Sequence, residues 1–159
     1  MLRDKNLVPL SHQHQHALAL CVRIQRHLQS GIPELARWQV EILEQFETEI
    51  DLHFEAEERF IFPVAARFTE LEILISELFA EHTVLRAYRL AAMARSMERA
   101  DLLDFAATLS NHVRKEEVEL FEKCQQLFSE ADLNEVGSNL REFLRTRGDV
   151  NDFSTSAGN

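Results

Sequence analysis

Apolar positions recur at helical spacing through nearly the whole chain. The first seam runs Leu7, Leu10, His14, Ala17, Cys21, Ile24 and Leu28, alternating steps of three and four as a helix does when one face meets a core. Pro9 and Ser11 open this segment, which reads as helix through about Gln29 and is ended by Gly31-Ile32-Pro33. Glu34 to Phe62 is a second breaker-free run, stopped by Pro63. Thr69 suits the N-cap of a third helix reaching about Met97, with Glu72 completing a capping box. Asp101 can cap a fourth helix to about Phe128, whose seam is Leu102, Phe105, Leu109, His112, Glu116 and Leu120. A shorter amphipathic piece follows, with Leu133, Val136, Leu140, Phe143 and Leu144 on one face. Short connections make successive helices antiparallel, so the expected fold is all-α: an up-down-up-down four-helix bundle with a short additional C-terminal helix. The bundle should occupy residues 1–146, and the polar tail, Arg147 to Asn159, is expected to be disordered.

Composition agrees with one soluble domain. The 159 residues are 45% apolar and 28% charged, with only four glycines and three prolines to interrupt helices. A net charge of −10 leaves no basic surplus to attract nucleic acid or an anionic membrane. Neither a signal-peptide core nor a membrane-spanning run is visible, and the expected location is cytoplasmic. Cys21 and Cys124 lack CxxC spacing and read as buried thiols.

The anomaly is polar residues inside apolar seams. His53-Phe-Glu-Ala-Glu57-Glu58-Arg-Phe-Ile-Phe62 is echoed by His112-Val-Arg-Lys-Glu116-Glu117-Val-Glu-Leu-Phe121, at a constant offset of 112 − 53 = 59. A His and a Glu four residues apart share one helical face, one turn apart, and can reach one metal centre. His14 and His82 sit in similar apolar frames on the first and third helices. Two related hairpins would therefore supply His14, His53, Glu57, His82, His112 and Glu116 to one layer of the bundle. Burying two carboxylates without compensation costs on the order of several kcal/mol each, and a metal removes that penalty. Imidazole with carboxylate suits iron or manganese better than calcium or magnesium.

Geometry separates the three histidines of the first helix. At about 100° per residue, His14 shares the azimuth of Leu10, Ala17 and Cys21, whereas His12 and His16 lie roughly opposite on a solvated face. Glu58 and Glu117 fall one residue beyond the seam and read as surface groups or as partners of the ligands. Glu81 and Glu49 are similarly placed, and Glu49, one turn before His53, could accept a hydrogen bond from a ligating imidazole.

These residues resemble the hemerythrin-like, or HHE cation-binding, domain family, over about Leu10 to Phe128. The resemblance rests on His14, His53-x-x-x-Glu57 with Phe62-Pro63, Glu81-His82, and His112-x-x-x-Glu116. It implies a non-haem diiron centre with bridging glutamates inside a four-helix bundle, with two iron ions as cofactor and manganese or zinc as substitutes. Oxygen-carrying members place a second histidine four residues after the one on helix three, where this chain has Arg86. Arginine stays protonated and cannot ligate, so one metal should have a poorer shell, completed by water, an exogenous ligand or a carboxylate such as Glu81. Oxygen carriers also use a carboxylate at i+5, which would be Glu117; the duplicated phrase and the seam favour Glu116. The expected function is binding or sensing of iron, oxygen, nitric oxide or peroxide, with metal ions and a small diatomic ligand as partners. The alternatives are a diiron oxidase, peroxidase or iron-centre repair factor, and an apo bundle acting as an interaction module.

Overall fold

A computed structural model of the chain describes residues 2–31 and 34–155, with side chains to Arg147. Among the described residues there are five helices and no strand. Helix α1 is Val8–Ser30. Helix α2 is a continuous rod made of Leu35–Gln45, Asp51–Ala56 and Phe62–Ala65, joined by wider π-turns at Phe46–Ile50 and Glu57–Ile61. A 3₁₀ turn, Thr69–Leu71, leads into α3, Glu72–Met93. Helix α4 joins Arg99–Lys115 to Phe121–Leu127 through a third π-turn, Glu116–Leu120, and α5 is Glu130–Thr155. Helix α1 lies against α2 and α4, and α3 closes the ring between them. This is the expected antiparallel bundle, with α5 packed along the second half of α2.

Several boundaries differ from the sequence reading, each for a local reason. Pro63 does not stop α2, because it stands in the first turn after a π-turn, where its missing N–H costs least. No side-chain cap forms at Thr69; its 3₁₀ turn supplies the start of α3. That helix ends at Met93 rather than Met97, because Arg95 takes a left-handed φ of 57° and the Ser96 N–H donates to the Ala91 carbonyl. Met97 then tucks into the core. The cap of α4 is Glu98, and Asp101 is the other half of its capping box, accepting from the Glu98 N–H at 2.7 Å. Ile32 and Pro33, expected to end the first helix, lie outside the described residues, as do 156–159 and the side chains from 148 onward of the expected tail.

Two apolar clusters fill the interior. One is centred on Ile24, Ile42, Phe46, Phe105 and Leu109, the other on Leu10, Ile61, Phe62, Leu120 and Phe121. Cys21 and Cys124 belong to these clusters as thiols, and burial pushes both up to about 12, which leaves them unreactive. Helix α5 approaches so closely at Gly137 that a Cβ there would lie 2.0 Å from Asn6 Oδ1 and 2.5 Å from Asn6 Cβ. Asn6 is buried and held by Asp4 Oδ1 at its N–H and by the Arg141 guanidinium at 3.2 Å. Gly137→Ala should therefore destabilise the protein by about 1–3 kcal/mol, measured by denaturant unfolding. No helix among the described residues is long and apolar enough to cross a membrane.

Candidate metal centre

The layer between the two apolar clusters is polar. His14, His53, Glu57, His82, His112 and Glu116 meet there, each no more than 5% exposed. They form two groups, His14/His53/Glu57/Glu116 and Glu57/His82/His112/Glu116, and in each group the facing ligand atoms all lie within 4.8 Å of one another. The two glutamates belong to both. Glu57 turns Oε1 to His53 Nε2 at 3.3 Å and Oε2 to His82 Nε2 at 3.4 Å. Glu116 turns Oε2 to His14 Nε2 at 3.1 Å and Oε1 to His112 Nε2 at 3.1 Å. Each carboxylate thus offers one oxygen to either half, which is how a carboxylate spans two cations.

The π-turns explain how one helix serves both the site and the core. Glu57 and Glu116 are each the first residue of such a turn. In an unbroken α-helix, a residue nine positions after His53 would be rotated by about 900° and point the opposite way. The inserted residue turns the helix back by about 100°, so that Phe62 and Phe121 return to the interior.

A second circle of residues fixes the imidazoles. The His14 Nδ1–H donates to Glu117 Oε1, His82 Nδ1–H to Glu58 Oε1 and His112 Nδ1–H to Glu81 Oε2, all at 2.7 Å. The His53 Nδ1–H donates instead to the Gln13 amide oxygen at 3.0 Å. With every Nδ1 so engaged, every Nε2 faces the centre, the tautomer a ligating imidazole requires. Glu58, Glu117 and Glu81 are therefore partners of the inner histidines rather than members of the cluster. The Arg86 guanidinium lies on the far side of Glu58, at 2.7 and 3.2 Å, and reaches no inner ligand atom. Glu49, one possible acceptor for a ligating imidazole, accepts from exposed His16 at 2.8 Å. Gln13 stands between His12 and His14 in a His-Gln-His-Gln-His run, where neither an apolar seam nor the repeated phrase marks it.

The electrostatics of the centre call for positive charge. Both oxygens of Glu57, both of Glu116, and Nε2 of His82 and His112 are buried without an aligned hydrogen bond, although neighbours stand at 3.1 to 3.7 Å. Burial and Glu116 push the Glu57 carboxyl up, but the imidazoles of His53 and His82 more than offset them, and it stays below its ordinary range. Glu116 lies well below that range, since His112, His14 and His82 outweigh its burial. In return the carboxylates overcome the effect of burial on the imidazoles, holding His14 and His112 up to about 9 and His82 up to about 10. Protons thus supply the positive charge in the metal-free protein. The donor set, four imidazole nitrogens and four carboxylate oxygens converging from four helices, fits a pair of divalent cations.

Beside the centre is a cavity of about 10 Å³, lined by His14, His53 and His112 together with Ala17, Ile50, Leu109 and Val113. That is about the room one water-sized molecule needs. Comparison with curated proteins and with solved structures gave no match. The family model for the hemerythrin HHE cation binding domain matches residues 8–124, which include all six residues of the cluster and all but the last turn of the four helices that carry them. By this match the chain belongs to the hemerythrin HHE cation binding domain family.

Proposed function

We propose that the protein holds two iron ions on His14, His53, Glu57, His82, His112 and Glu116 and uses them to bind or sense oxygen, nitric oxide or peroxide. The observation that carries this reading is the shared pair of glutamates, each turning one oxygen to either pair of histidines. The mixed imidazole and carboxylate set favours iron or manganese over calcium and magnesium, with zinc as a substitute. Bound iron would supply a redox-active centre able to take a small exogenous ligand. The chain's own residues do the rest: Glu57 and Glu116 neutralise the cations, Glu58, Glu81, Glu117 and Gln13 orient the imidazoles, and the apolar wall excludes bulk water.

The cavity's size supports a diatomic ligand over an organic substrate, since it admits one small molecule. Arg86 bears on reversible oxygen carriage, because it adds a charge beside Glu58 where oxygen carriers have a further imidazole. The test is to add oxygen, nitric oxide and peroxide in turn to the reduced, iron-loaded protein and follow the visible spectrum. A reversible adduct with one of them is expected. Sustained turnover would replace this reading with an enzyme, and an unchanged spectrum with all three would remove it.

His16→Ala serves as the control. That side chain is 62% exposed and pairs with Glu49. The substitution should change neither metal content nor thermal stability, as read by elemental analysis and a melting curve.

A further inference from the structure

The inner ligands of the two halves are matched in kind: two imidazoles each, with both glutamates shared. The asymmetry lies one layer out. Three imidazoles donate to carboxylates, and each of those carboxylates is itself held in place. Glu117 takes Arg3 at 2.7 Å and the Ser11 hydroxyl at 2.6 Å, Glu58 takes Arg86, and Glu81 takes Lys115. His53 alone donates to a neutral group, the amide of Gln13. An anionic acceptor on the outer N–H raises the basicity of an imidazole as a ligand, and a neutral amide raises it less. The pair His82/His112 therefore has two anionic partners, whereas His14/His53 has one.

Packing sets His82 apart from the other three imidazoles. His82 is fully buried, with the Phe54 ring stacked on it at 3.8 Å between centroids and Phe62 at 5.5 Å. His14, on which Phe121 stacks at 5.5 Å, borders the cavity with His53 and His112, and Gln13 forms part of its rim.

We propose that Gln13 makes the two metal positions unequal: the position on His82 and His112 fills first and holds its ion tightly, and the one on His14 and His53 fills second and exchanges. This inference rests on the two-metal reading above. It means that occupancy of the second position follows the free metal concentration while the first keeps the centre assembled. Gln13 is a positioning residue here, acting through His53.

Cobalt(II) is a suitable probe. Metal-free protein would be titrated in competition with a chromophoric chelator, giving two stepwise affinities for the native chain, Gln13→Glu and Glu58→Gln. Both substitutions preserve side-chain shape, and melting of each metal-free variant checks its folding. The native steps should differ by about 10-fold or more. Gln13→Glu should strengthen the second step by about 10-fold and leave the first alone, while Glu58→Gln should weaken the first. A merely structural role for Gln13 would move both steps together. Two bound ions with steps that Gln13→Glu leaves unmoved, or a strengthened first step, overturn the assignment to Gln13. If Gln13→Glu does not fold, a second step weakened by Glu58→Gln in place of the first overturns it equally. Failure to bind any cobalt overturns the two-metal reading itself.

Discussion

Glu57→Gln should strip the protein of both metal ions, and Glu116→Gln should do the same, whereas His53→Ala should remove only one. The difference follows from the way the carboxylates are shared. Each glutamate serves both groups, so its loss costs either cation an anionic oxygen, while His53 belongs to one group only. The amide fills the same volume as the carboxylate, so the metal-free variants should keep their helical content. What they lose is the stabilisation that binding confers, about 4 kcal/mol when free metal exceeds Kd 1,000-fold. Equilibrium dialysis at a fixed, saturating free-metal concentration gives the stoichiometry, and melting curves with and without added metal give the stability. A Glu57→Gln protein that retains two ions would refute the shared role of this residue.

Stability of the metal-free protein should fall steeply between pH 6.5 and 10. His14, His82 and His112 are raised in the folded state from 6.5 to about 9, 10 and 9. A group whose folded pKa is raised contributes stability that is complete below its unfolded value and is lost as pH rises through the folded one. For His14 alone the rise, 9 − 6.5 = 2.5, corresponds to roughly 3 kcal/mol. The three imidazoles share the same carboxylates, so their contributions do not simply add. Glu57 and Glu116 set the other limit: their folded values are lowered, and their contribution is lost on acidification below the ordinary carboxylate range. Metal binding replaces the inner protons, so affinity should strengthen over the alkaline window in which metal-free stability declines. Denaturant unfolding of the metal-free protein at pH 6.5 and pH 9.5 checks the sign. Equal stability at the two values would contradict the account.

Much of the centre can be read from the sequence because burial has a period. His14, Glu116 and their neighbours lie on unbroken seams whose other members are all buried. The repeated phrase around His53 and His112 marks Glu57 and Glu116 as equivalent positions before any fold is known. What a constant period of 3.6 residues cannot reveal is a change of period. Glu49 lies within the π-turn at Phe46–Ile50 and accepts from His16, while the outer nitrogen of His53 is taken by Gln13. A constant period would also put Phe62 and Phe121 on the outer face, and the π-turns at Glu57–Ile61 and Glu116–Leu120 return both to the interior. The capping errors at Thr69 and Asp101 have another origin. Both are good capping residues, but a 3₁₀ turn serves the first helix start and Glu98 takes the N-cap of the second. The role of Gln13 depends on how α1 and α2 are rotated against each other, and no pattern within either helix encodes that.

The measurement that bears most directly on the whole account is the metal content of protein produced aerobically with ample iron and purified without an affinity tag. Two metal ions per chain, predominantly iron, are expected from the two His/Glu groups. Protein that emerges folded and essentially metal-free, and takes up none when iron is supplied, would contradict it.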